Sequence, residues 1–197
     1  MHLKTDPKTL SAALTKAVGV INNRNTLPIL DNVYLKAEDN TLTICATDLD
    51  SEVSTRIECE VIKAGETTVN ARLLSDGVKK FADGSIVTID ATGDKANVSA
   101  GRRRFSLGIL DATDFPHIAS NEYEAIFSVA ADDLARLFGK TAFAMSTEET
   151  RYYLQGVYLH STENGITAVS TDGHRLAKVW TEQAEVFTGV IVPRFRS

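Results

Sequence analysis

The sequence predicts an α+β fold in which antiparallel sheets carry helices on one face. Three observations support this prediction. Strand-like and helix-like segments recur in one order, a strand, a helix and three further strands, which we denote βαβββ. A series of residues is repeated at a fixed spacing along the chain. Hydrophobic residues make up 43% and charged residues 24% of the 197 residues, the balance of a globular protein with a packed core.

The repeat has a spacing of 124 positions and contains no gap. Its longest match is Val-Tyr-Leu at 33–35, which returns at 157–159, and Thr47-Asp48 returns as Thr171-Asp172. Single matches in the same register include Leu10 with Leu134 and Lys16 with Lys140. Matches that share one register indicate that the unit beginning near residue 1 is repeated near residue 125.

The first βαβββ unit begins with a predicted strand at His2–Thr5. Apolar residues at helical spacing then predict a helix, namely Leu10, Leu14, Ala17, Val18 and Ile21. Three strand-like runs follow at 29–37, 41–46 and 52–61. Asp39-Asn40 provides turn residues between the first two runs.

The repeated unit has the same predicted order. Its strand lies at 126–129, and its helix carries Leu134, Leu137, Phe138 and Ala142. Its three strand-like runs are at 152–160, 166–170 and 175–181. A third, diverged unit between the two has a strand at 67–70, a helix at 71–81 and strands at 85–90, 96–99 and 103–107.

These units predict two domains. Residues 1–118 hold two units and form a complete domain, and 119–123 form a linker that follows an Asp-Phe-Pro segment. Residues 124–197 hold one unit and a further strand, and form an incomplete second domain. A single unit leaves an apolar face and sheet edges that need a partner. We therefore expect self-association through the second domain, with Ile126, Leu134, Phe138 and Val157 as its apolar contacts.

Charge and composition narrow the functional classes. The net charge of −5 argues against nucleic-acid binding by the whole surface, but it is compatible with a local basic face. The sequence has no apolar run near the ~20 residues of a membrane span and no secretory signal, so a cytoplasmic location is expected. Cys45 and Cys59 form no metal-binding spacing and are expected as small strand residues, with a disulfide as the weaker alternative.

Six motifs in order resemble the bacterial replicative sliding clamp, the beta subunit of DNA polymerase III. They are TLPILDNVYL at 26–35, GRRRFSL at 101–107, DFPHI at 114–118, RYYLQGVYL at 151–159, STDGHRLA at 170–177 and VIVPR at 190–194. The resemblance implies the DNA-clamp fold, with two βαβββ units per domain and three domains per chain. It further implies a homodimeric ring around duplex DNA.

The function implied by the resemblance is processivity in DNA replication, by tethering polymerase to DNA without a cofactor. Its implied partners are duplex DNA, bound without sequence preference, and the DNA polymerase and clamp loader subunits, bound through short peptide motifs. The alternative is a truncated clamp that acts as a peptide-interaction module or competitor and cannot encircle DNA. Completeness of the second domain distinguishes these two functions.

A DNA-binding face is expected on the helices. Arg72 and Lys79 lie seven positions apart on one helix, and Arg136 and Lys140 lie four apart on another. From spacing alone an ordinary solvated helix face is preferred; the resemblance implies that these helices line the DNA channel. It also implies DNA contacts for Arg24, Tyr152 and Tyr153. The two tyrosines could equally be strand residues, one in the core and one exposed.

A partner-peptide groove is implied by the resemblance for one set of residues, namely Leu154, Thr171, Gly173, His174, Arg175 and Leu176. The structural alternative is a turn between two strands. The repeat position holds Thr47-Asp48, which suggests that the Thr-Asp pair is structural and that Gly173, His174 and Arg175 carry the specific chemistry.

A subunit interface is implied for Arg102, Arg104, Phe105 and Leu107, which lie on a predicted edge strand. The family pairs this strand with acidic residues of a neighbouring chain. The alternative is that the charged edge only prevents aggregation.

Catalysis is not expected. The i, i+2 pairs Asp48/Asp50 and Asp172/His174 could place metal ligands on one strand face, as in a metal-dependent nuclease. The four histidines are scattered, and no P-loop, GxSxG, HExxH or GxGxxG sequence occurs. We therefore expect no catalytic residues, no metal site and no cofactor.

Overall fold

A computed structural model describes residues 1–22, 25–118, 126–163, 165–182 and 187–194. The chain divides into two compact units, residues 1–119 and 120–197, which we call unit 1 and unit 2. Antiparallel sheets and a few helices make up both units, so the predicted α+β class is confirmed. No helix of the described residues is long and apolar enough to cross a membrane.

Unit 1 contains a nine-stranded antiparallel sheet and two helices. Its elements are β1 (His2–Thr5), α1 (Pro7–Val18), β2 (Asn32–Glu38), β3 (Thr41–Thr47), β4 (Glu52–Glu58), β5 (Glu60–Lys63), β6 (Gly65–Asn70), α2 (Ala71–Val78), β7 (Val87–Thr92), β8 (Lys95–Ala100) and β9 (Arg103–Leu110). The strand order is β4-β3-β2-β6-β9-β8-β7-β1-β5. Short 3₁₀ helices at Pro28–Asp31 and Ala112–Asp114 complete it.

The two βαβββ halves of unit 1 are interlocked through their first strands. β1 of the first half pairs with β7 of the second half, and β6 of the second half pairs with β2 of the first. Helix α1 also packs against α2. Each half therefore completes the sheet and covers the helix of the other half.

Local sequence explains where the two helices of unit 1 begin. The Asp6 carboxylate accepts a hydrogen bond from the Thr9 N–H at 2.8 Å, and Pro7 occupies the first turn of α1. The Asn70 side chain accepts from the Leu73 N–H at 3.0 Å at the start of α2. Both helices bury an apolar face in one core, which includes Leu3, Leu10, Leu14, Leu35, Leu74 and Ile89.

The described residues of unit 2 form a smaller sheet and one α-helix. Its elements are α3 (Ala131–Thr141), β10 (Gly156–Thr162), β11 (Gly165–Thr171), β12 (Leu176–Trp180) and β13 (Val190–Pro193), with strand order β12-β11-β10-β13. Strand β13 pairs with β10, as β6 pairs with β2 in unit 1. The buried core comprises Leu137, Val157, Leu159, Ile166 and Ala168.

The strand predicted at 126–129 is absent, so that prediction is wrong. Its counterpart β1 is held between β5 and β7, and β7 belongs to the other half of unit 1. The described residues of unit 2 contain no counterpart of β7. An extended segment without a hydrogen-bonding neighbour is not a strand, whatever its own propensity.

Other predicted boundaries shift for local reasons. The predicted run 29–37 becomes a strand only at Asn32, because Pro28–Asp31 forms a 3₁₀ turn. The run 52–61 divides into β4 and β5 on either side of Cys59. The run 152–160 begins at Gly156, because Glu149–Leu154 forms a 3₁₀ helix. Helix α2 ends at Val78, three residues earlier than predicted.

Candidate nucleic-acid and peptide interface

The candidate peptide groove is built on a turn between β11 and β12. The Thr171 hydroxyl donates to the Arg175 carbonyl at 2.7 Å and accepts from the Gly173 N–H at 3.0 Å. The Asp172 carboxylate accepts from the N–H groups of His174 and Arg175, both at 3.0 Å. These bonds fix the backbone of the turn, and the residues that follow Asp172 in it are exposed.

Unit 1 contains the same turn between β3 and β4. The Thr47 hydroxyl donates to the Ser51 carbonyl at 2.8 Å and accepts from the Leu49 N–H at 3.0 Å. The Asp48 carboxylate accepts from the N–H groups of Asp50 and Ser51 at 3.1 and 2.8 Å. The structural interpretation of the Thr-Asp pair is therefore confirmed, because the two turns share these four bonds and display different residues.

The residue after the Thr-Asp pair shows why glycine suits unit 2. Leu49 has φ +78° and Gly173 has φ +90°, a left-handed backbone that is unfavourable for a side chain with a Cβ. A Cβ at position 173 would also lie 3.1 Å from an Arg151 guanidinium nitrogen. Gly173 thus relieves backbone strain and lets Arg151 approach the turn.

Arg175 lies between an acid and an aromatic ring. Its Nε contacts Asp172 Oδ2 at 2.9 Å, and its guanidinium carbon lies 5.8 Å from the centroid of the Phe143 ring. The backbone N–H groups of His174 and Arg175, and then the Arg175 side chain, lower the pKa of Asp172 to about 2. Asp172 is therefore a carboxylate at neutral pH and holds Arg175 in place.

The loop before β10 carries two exposed tyrosines. Tyr152 is 78% and Tyr153 is 54% exposed, and their rings meet edge to face with centroids 5.7 Å apart. The expectation that one of them would be in the core as a strand residue is wrong. They lie just after a kink at Arg151 that divides Glu149–Leu154 into two short 3₁₀ turns, where successive side chains do not alternate between two faces as in a strand.

An ion pair orders this loop. The Arg151 guanidinium donates to both carboxylate oxygens of Glu148, at 2.7 and 2.5 Å, which raises the pKa of Arg151. The negative charge of Glu148 is thereby offset by a neighbouring cation. The Arg151 guanidinium also lies beside Gly173. The loop that carries Tyr152 and Tyr153, which we call the tyrosine loop, therefore lies next to the β11–β12 turn.

The apolar groove residues differ in exposure. Leu176 is 64% exposed at the start of β12, whereas Leu154 is half-buried at the end of the 3₁₀ helix. His174 and Arg175, which lie on the turn just before Leu176, are exposed. The structure therefore presents Leu176, His174 and Arg175 at the surface together with the aromatic ring of Phe143.

The four cations predicted on helices differ in the contacts that they make. Lys79 and Lys140 are exposed, and among the described residues neither has an ion pair. Arg72 donates to the Ile21 carbonyl at 3.2 Å. Arg136 contacts Asp133 at 2.9 Å and donates to the Trp180 carbonyl at 3.1 Å, which ties α3 to β12. The predicted contact Arg24 lies outside the described residues.

Three of the predicted subunit-interface residues, Arg104, Phe105 and Leu107, lie on β9, and Arg102 lies in the turn just before it. Strand β9 has an open edge along part of its length. β9 pairs with β8 from Arg103 to Gly108, but with β6 only at Ile109 and Leu110. Arg102 and Arg104 are exposed. Leu107 lies in the core of unit 1, and Phe105 stacks on Phe81 with ring centroids 5.8 Å apart. Leu107 is therefore buried in unit 1, and Phe105 is only partly exposed.

Three residues that shape these candidate surfaces were not predicted from the sequence. Arg151 links the tyrosine loop to the turn, Phe143 lies under Arg175, and Arg103 donates to the Lys80 carbonyl near the end of α2. The i, i+3 spacing of Glu148 and Arg151 was a usable signal for their ion pair. The other two contacts join distant segments and leave no such pattern.

The metal-site alternative receives no support from the described residues, which contain no group of three or more metal-ligating side chains. The Asp48 and Asp172 carboxylates are instead used by backbone N–H groups of their turns.

Comparisons with known proteins match both units. A family model described as the DNA polymerase III beta subunit, N-terminal domain, matches residues 1–119, and one for the central domain matches residues 128–195. The "Beta sliding clamp" of Caulobacter vibrioides is 43% identical over 196 residues, covering 93% of this chain and 53% of the relative. That of Vibrio cholerae is 38% identical over 184 residues, covering 92% of this chain and 50% of the relative.

Solved structures of sliding clamps are also similar to this chain. A Caulobacter crescentus beta sliding clamp has a TM-score of 0.90 at 40% identity, covering 98% of this chain and 54% of its own. A sliding clamp from Bartonella birtlesii, bound to griselimycin, has a TM-score of 0.93 at 38% identity, covering 98% of this chain and 54% of its own. The chain spans about half the length of these relatives.

Proposed function

This chain belongs to the DNA polymerase III beta subunit family, and on that premise we propose that it acts as a sliding-clamp-like processivity factor in DNA replication. In this role it associates with duplex DNA without sequence preference and docks short peptides of polymerase and clamp loader subunits. The observation that carries the proposal is the surface formed by the tyrosine loop and the β11–β12 turn, joined through Arg151. We propose that the protein is cytoplasmic and performs no catalysis.

The DNA contacts are proposed to be electrostatic and aromatic. Lys79 and Lys140 are exposed cations that can approach phosphates, with Arg24, Arg72 and Arg136 as further contributors. Tyr152 and Tyr153 offer exposed ring faces and hydroxyls on unit 2. None of these groups reads a base edge in an ordered pattern, so the expected binding is weak, sequence-independent and sensitive to salt.

The peptide groove is proposed to use Leu154, Thr171, Gly173, His174, Arg175 and Leu176. Thr171 and Asp172 shape the turn, while His174 and Arg175 provide donors and Leu176 provides apolar area. Arg175 is held by Asp172, which reduces the side-chain entropy lost when a ligand binds. An apolar anchor side chain flanked by polar groups is the ligand that suits this surface.

The DNA proposal is tested by charge reversal with a matched control. Fluorescence anisotropy with two duplexes of unrelated sequence, at several salt concentrations, compares Lys79→Glu/Lys140→Glu with Lys63→Glu/Lys95→Glu. Both double variants change the net charge equally, and all four lysines are exposed. Loss of two phosphate contacts should reduce the slope of log K against log salt by about 1.8. Salt-independent binding, a sequence preference or an equal effect of the control pair contradicts the proposal.

The peptide proposal is tested by chemical-shift mapping with a short peptide that contains Gln, Leu and Phe. Perturbations centred on 154 and 171–176 support the groove. Perturbations centred elsewhere, or an undiminished affinity in the Arg175→Ala/Leu176→Ala variant, contradict it.

The alternative function is a peptide-interaction module or competitor that does not encircle DNA. It deserves a separate measurement because the chain covers 53% of its Caulobacter relative. Retention on nicked circular plasmid, compared with the same plasmid after linearisation, distinguishes the two functions. A topological clamp is lost on linearisation, whereas a module that only contacts the surface binds both forms equally.

The subunit-interface role of Arg102 and Arg104 remains part of the proposal. Their strand β9 has an open backbone edge from Arg103 to Gly108, flanked by exposed cations. This edge suits an acidic strand that adds to the sheet.

A further inference from the structure

Strand β9 presents its side chains alternately to the two faces of the sheet in unit 1. Phe105 lies on the face that carries the helices, because its ring contacts Gly77 on α2 and stacks on Phe81. Arg103 is two positions earlier on the strand and shares this face, whereas Arg104 lies on the opposite face. The exposed arginines of this stretch therefore lie on two different surfaces.

Arg103 bonds to the chain just beyond the end of α2. Its guanidinium donates a hydrogen bond to the Lys80 carbonyl. Helix α2 ends at Val78, so this carbonyl lies past the last turn, where carbonyl groups need a partner from outside the helix. Arg103 thereby holds in place the segment that carries Lys79 and Lys80.

Three cations meet at this point, and we call Lys79, Lys80 and Arg103 the α2 cluster. All three are exposed, and none of them forms an ion pair within the part of the chain that the structure describes. The acids on either side of the two lysines in sequence do not neutralise them. Asp76 forms no ion pair with a described residue, and Asp83 pairs with a lysine outside the cluster at 3.1 Å. The α2 cluster is therefore a local positive patch on a chain whose net charge is −5.

The Arg103 side chain retains donors for a ligand. A guanidinium has five N–H donors, and the bond to Lys80 is its one hydrogen bond to a described residue. The remaining donors and the two lysine ammonium groups can bond oxygen acceptors. Three exposed charges without an apolar member suit a polyanion that is bound through charge alone, such as the phosphate backbone of a duplex.

We propose that Arg103 belongs to the duplex-binding face of unit 1 and not to the edge that holds Arg102 and Arg104. It positions Lys79 and Lys80 through the Lys80 carbonyl, and its remaining donors contact a phosphate of the same duplex. This inference rests on the proposed DNA-binding function, to which it adds Lys80 and Arg103. The contact is with the phosphodiester backbone and involves no base.

Arg103→Gln and Arg104→Gln form a matched pair for the test. Each removes one charge from an exposed arginine of β9, on opposite faces of the sheet. In fluorescence anisotropy with a duplex, Arg103→Gln should lower the slope of log K against log salt by at least about 0.9, the value for one phosphate contact. Arg104→Gln should leave the slope unchanged. An equal change in both variants, or no change in Arg103→Gln, overturns the proposal.

Two further measurements separate the phosphate contact from the positioning role. Arg103→Lys keeps the charge and should keep the salt slope, so a slope that falls equally in Arg103→Lys and Arg103→Gln overturns the phosphate contact. The Phe81 amide, which bonds to the Val78 carbonyl, should exchange faster with solvent in Arg103→Gln than in Arg104→Gln. Equal exchange in these two variants overturns the positioning role.

Inorganic pyrophosphate tests the α2 cluster without DNA. In an NMR titration, shifts of the Arg103 Nε–H signal and of the Lys79 and Lys80 amides support the inference. Shifts confined to Arg102 and Arg104 overturn it, while duplex binding that the lysine variants weaken would still support the proposed function. Pyrophosphate binding without any duplex binding refutes the proposed function and, with it, the duplex as the ligand. If only a glutamate-rich peptide shifts the cluster, its partner is an acidic protein segment and the inference is overturned.

Discussion

The ring of Phe105 on β9 lies directly over Gly77 on α2, so closely that a Cβ at position 77 would overlap the ring. Phe105 also stacks on Phe81, which lies just beyond the end of the same helix. Gly77 is unfavourable for a helix by about 1 kcal/mol relative to alanine, yet the packing of Phe105 requires it. This relationship explains why an aromatic residue on an arginine-rich strand is not free to contact a partner.

Gly77→Ala is expected to destabilise the protein by about 1–3 kcal/mol, because the added methyl group displaces Phe105 from α2. Gly139→Ala on α3 is the matched control. Nothing lies within 4 Å of a Cβ at position 139, so the same substitution should stabilise by about 0.5–1 kcal/mol through helix propensity. Urea denaturation of both variants measures the two effects, and destabilisation of equal size at both positions would contradict the role of Phe105.

Substitutions at the equivalent turn positions 49 and 173 are expected to change the free energy of unfolding in opposite directions. Leu49 adopts φ +78°, which strains a side chain with a Cβ, whereas Gly173 at the equivalent position has φ +90° without strain. Leu49→Gly is therefore expected to raise the free energy of unfolding by up to about 1 kcal/mol. Gly173→Ala is expected to lower it by a similar amount and to displace Arg151. Thermal unfolding measures the stability of both variants. If Leu49→Gly destabilises the protein, the contacts of the Leu49 side chain contribute more stability than its strained backbone costs.

Much of this architecture follows from the sequence because it depends on local pattern and on the repeat. The helix of the first unit, the Thr-Asp turn and the α+β class are all visible as spacings within a few residues or as matches across 124 positions. The turn is the best example. Thr47 and Asp48 make the same bonds as Thr171 and Asp172, which is what an inherited backbone motif predicts.

The features that escaped prediction depend on contacts between distant segments. The segment 126–129 has strand-like residues but no neighbouring strand, so its propensity is not realised. The sequence placed Arg102, Arg104, Phe105 and Leu107 together on one predicted edge strand, but only the packing against α2 shows that Phe105 contacts Gly77 and Phe81 in unit 1. Tyr152 and Tyr153 precede a strand and were easily taken for part of it. The 3₁₀ helix, ordered by the Glu148–Arg151 ion pair, was missed.

Acid should loosen the β11–β12 turn. The folded pKa of Asp172 is about 2, below the ordinary value of 3.8, because two backbone N–H groups and Arg175 favour the carboxylate. A lowered folded pKa means that the stabilisation is present above the unfolded value and is lost as the pH falls from about 4 to about 2. The amide signals of His174 and Arg175 should shift in this range when followed by NMR. In Asp172→Asn this titration should vanish, and its persistence there would assign the shifts to another group.

The last prediction concerns the two exposed tyrosines. Because Tyr152 and Tyr153 are 78% and 54% exposed, their removal should leave the core of unit 2 intact, so a loss of DNA binding can be attributed to the surface itself. Tyr152→Ala/Tyr153→Ala is expected to weaken duplex binding by roughly 30-fold, since two aromatic contacts with nucleic acid at about 1 kcal/mol each total about 2 kcal/mol. This loss should not change the salt slope, because neither tyrosine releases a counterion.

Tyr158 provides the control for this pair. It is 42% exposed and stacks on His160, and it belongs to β10 and not to the 3₁₀ segment that carries Tyr152 and Tyr153. Tyr158→Ala removes the same kind of side chain from the same unit and should leave DNA affinity unchanged in the anisotropy measurement. If it weakens binding as much as the double variant does, the effect reflects a general disturbance of unit 2. If the double variant binds as tightly as the unaltered protein, the tyrosines make no contact with DNA, and binding rests on the lysines and arginines alone.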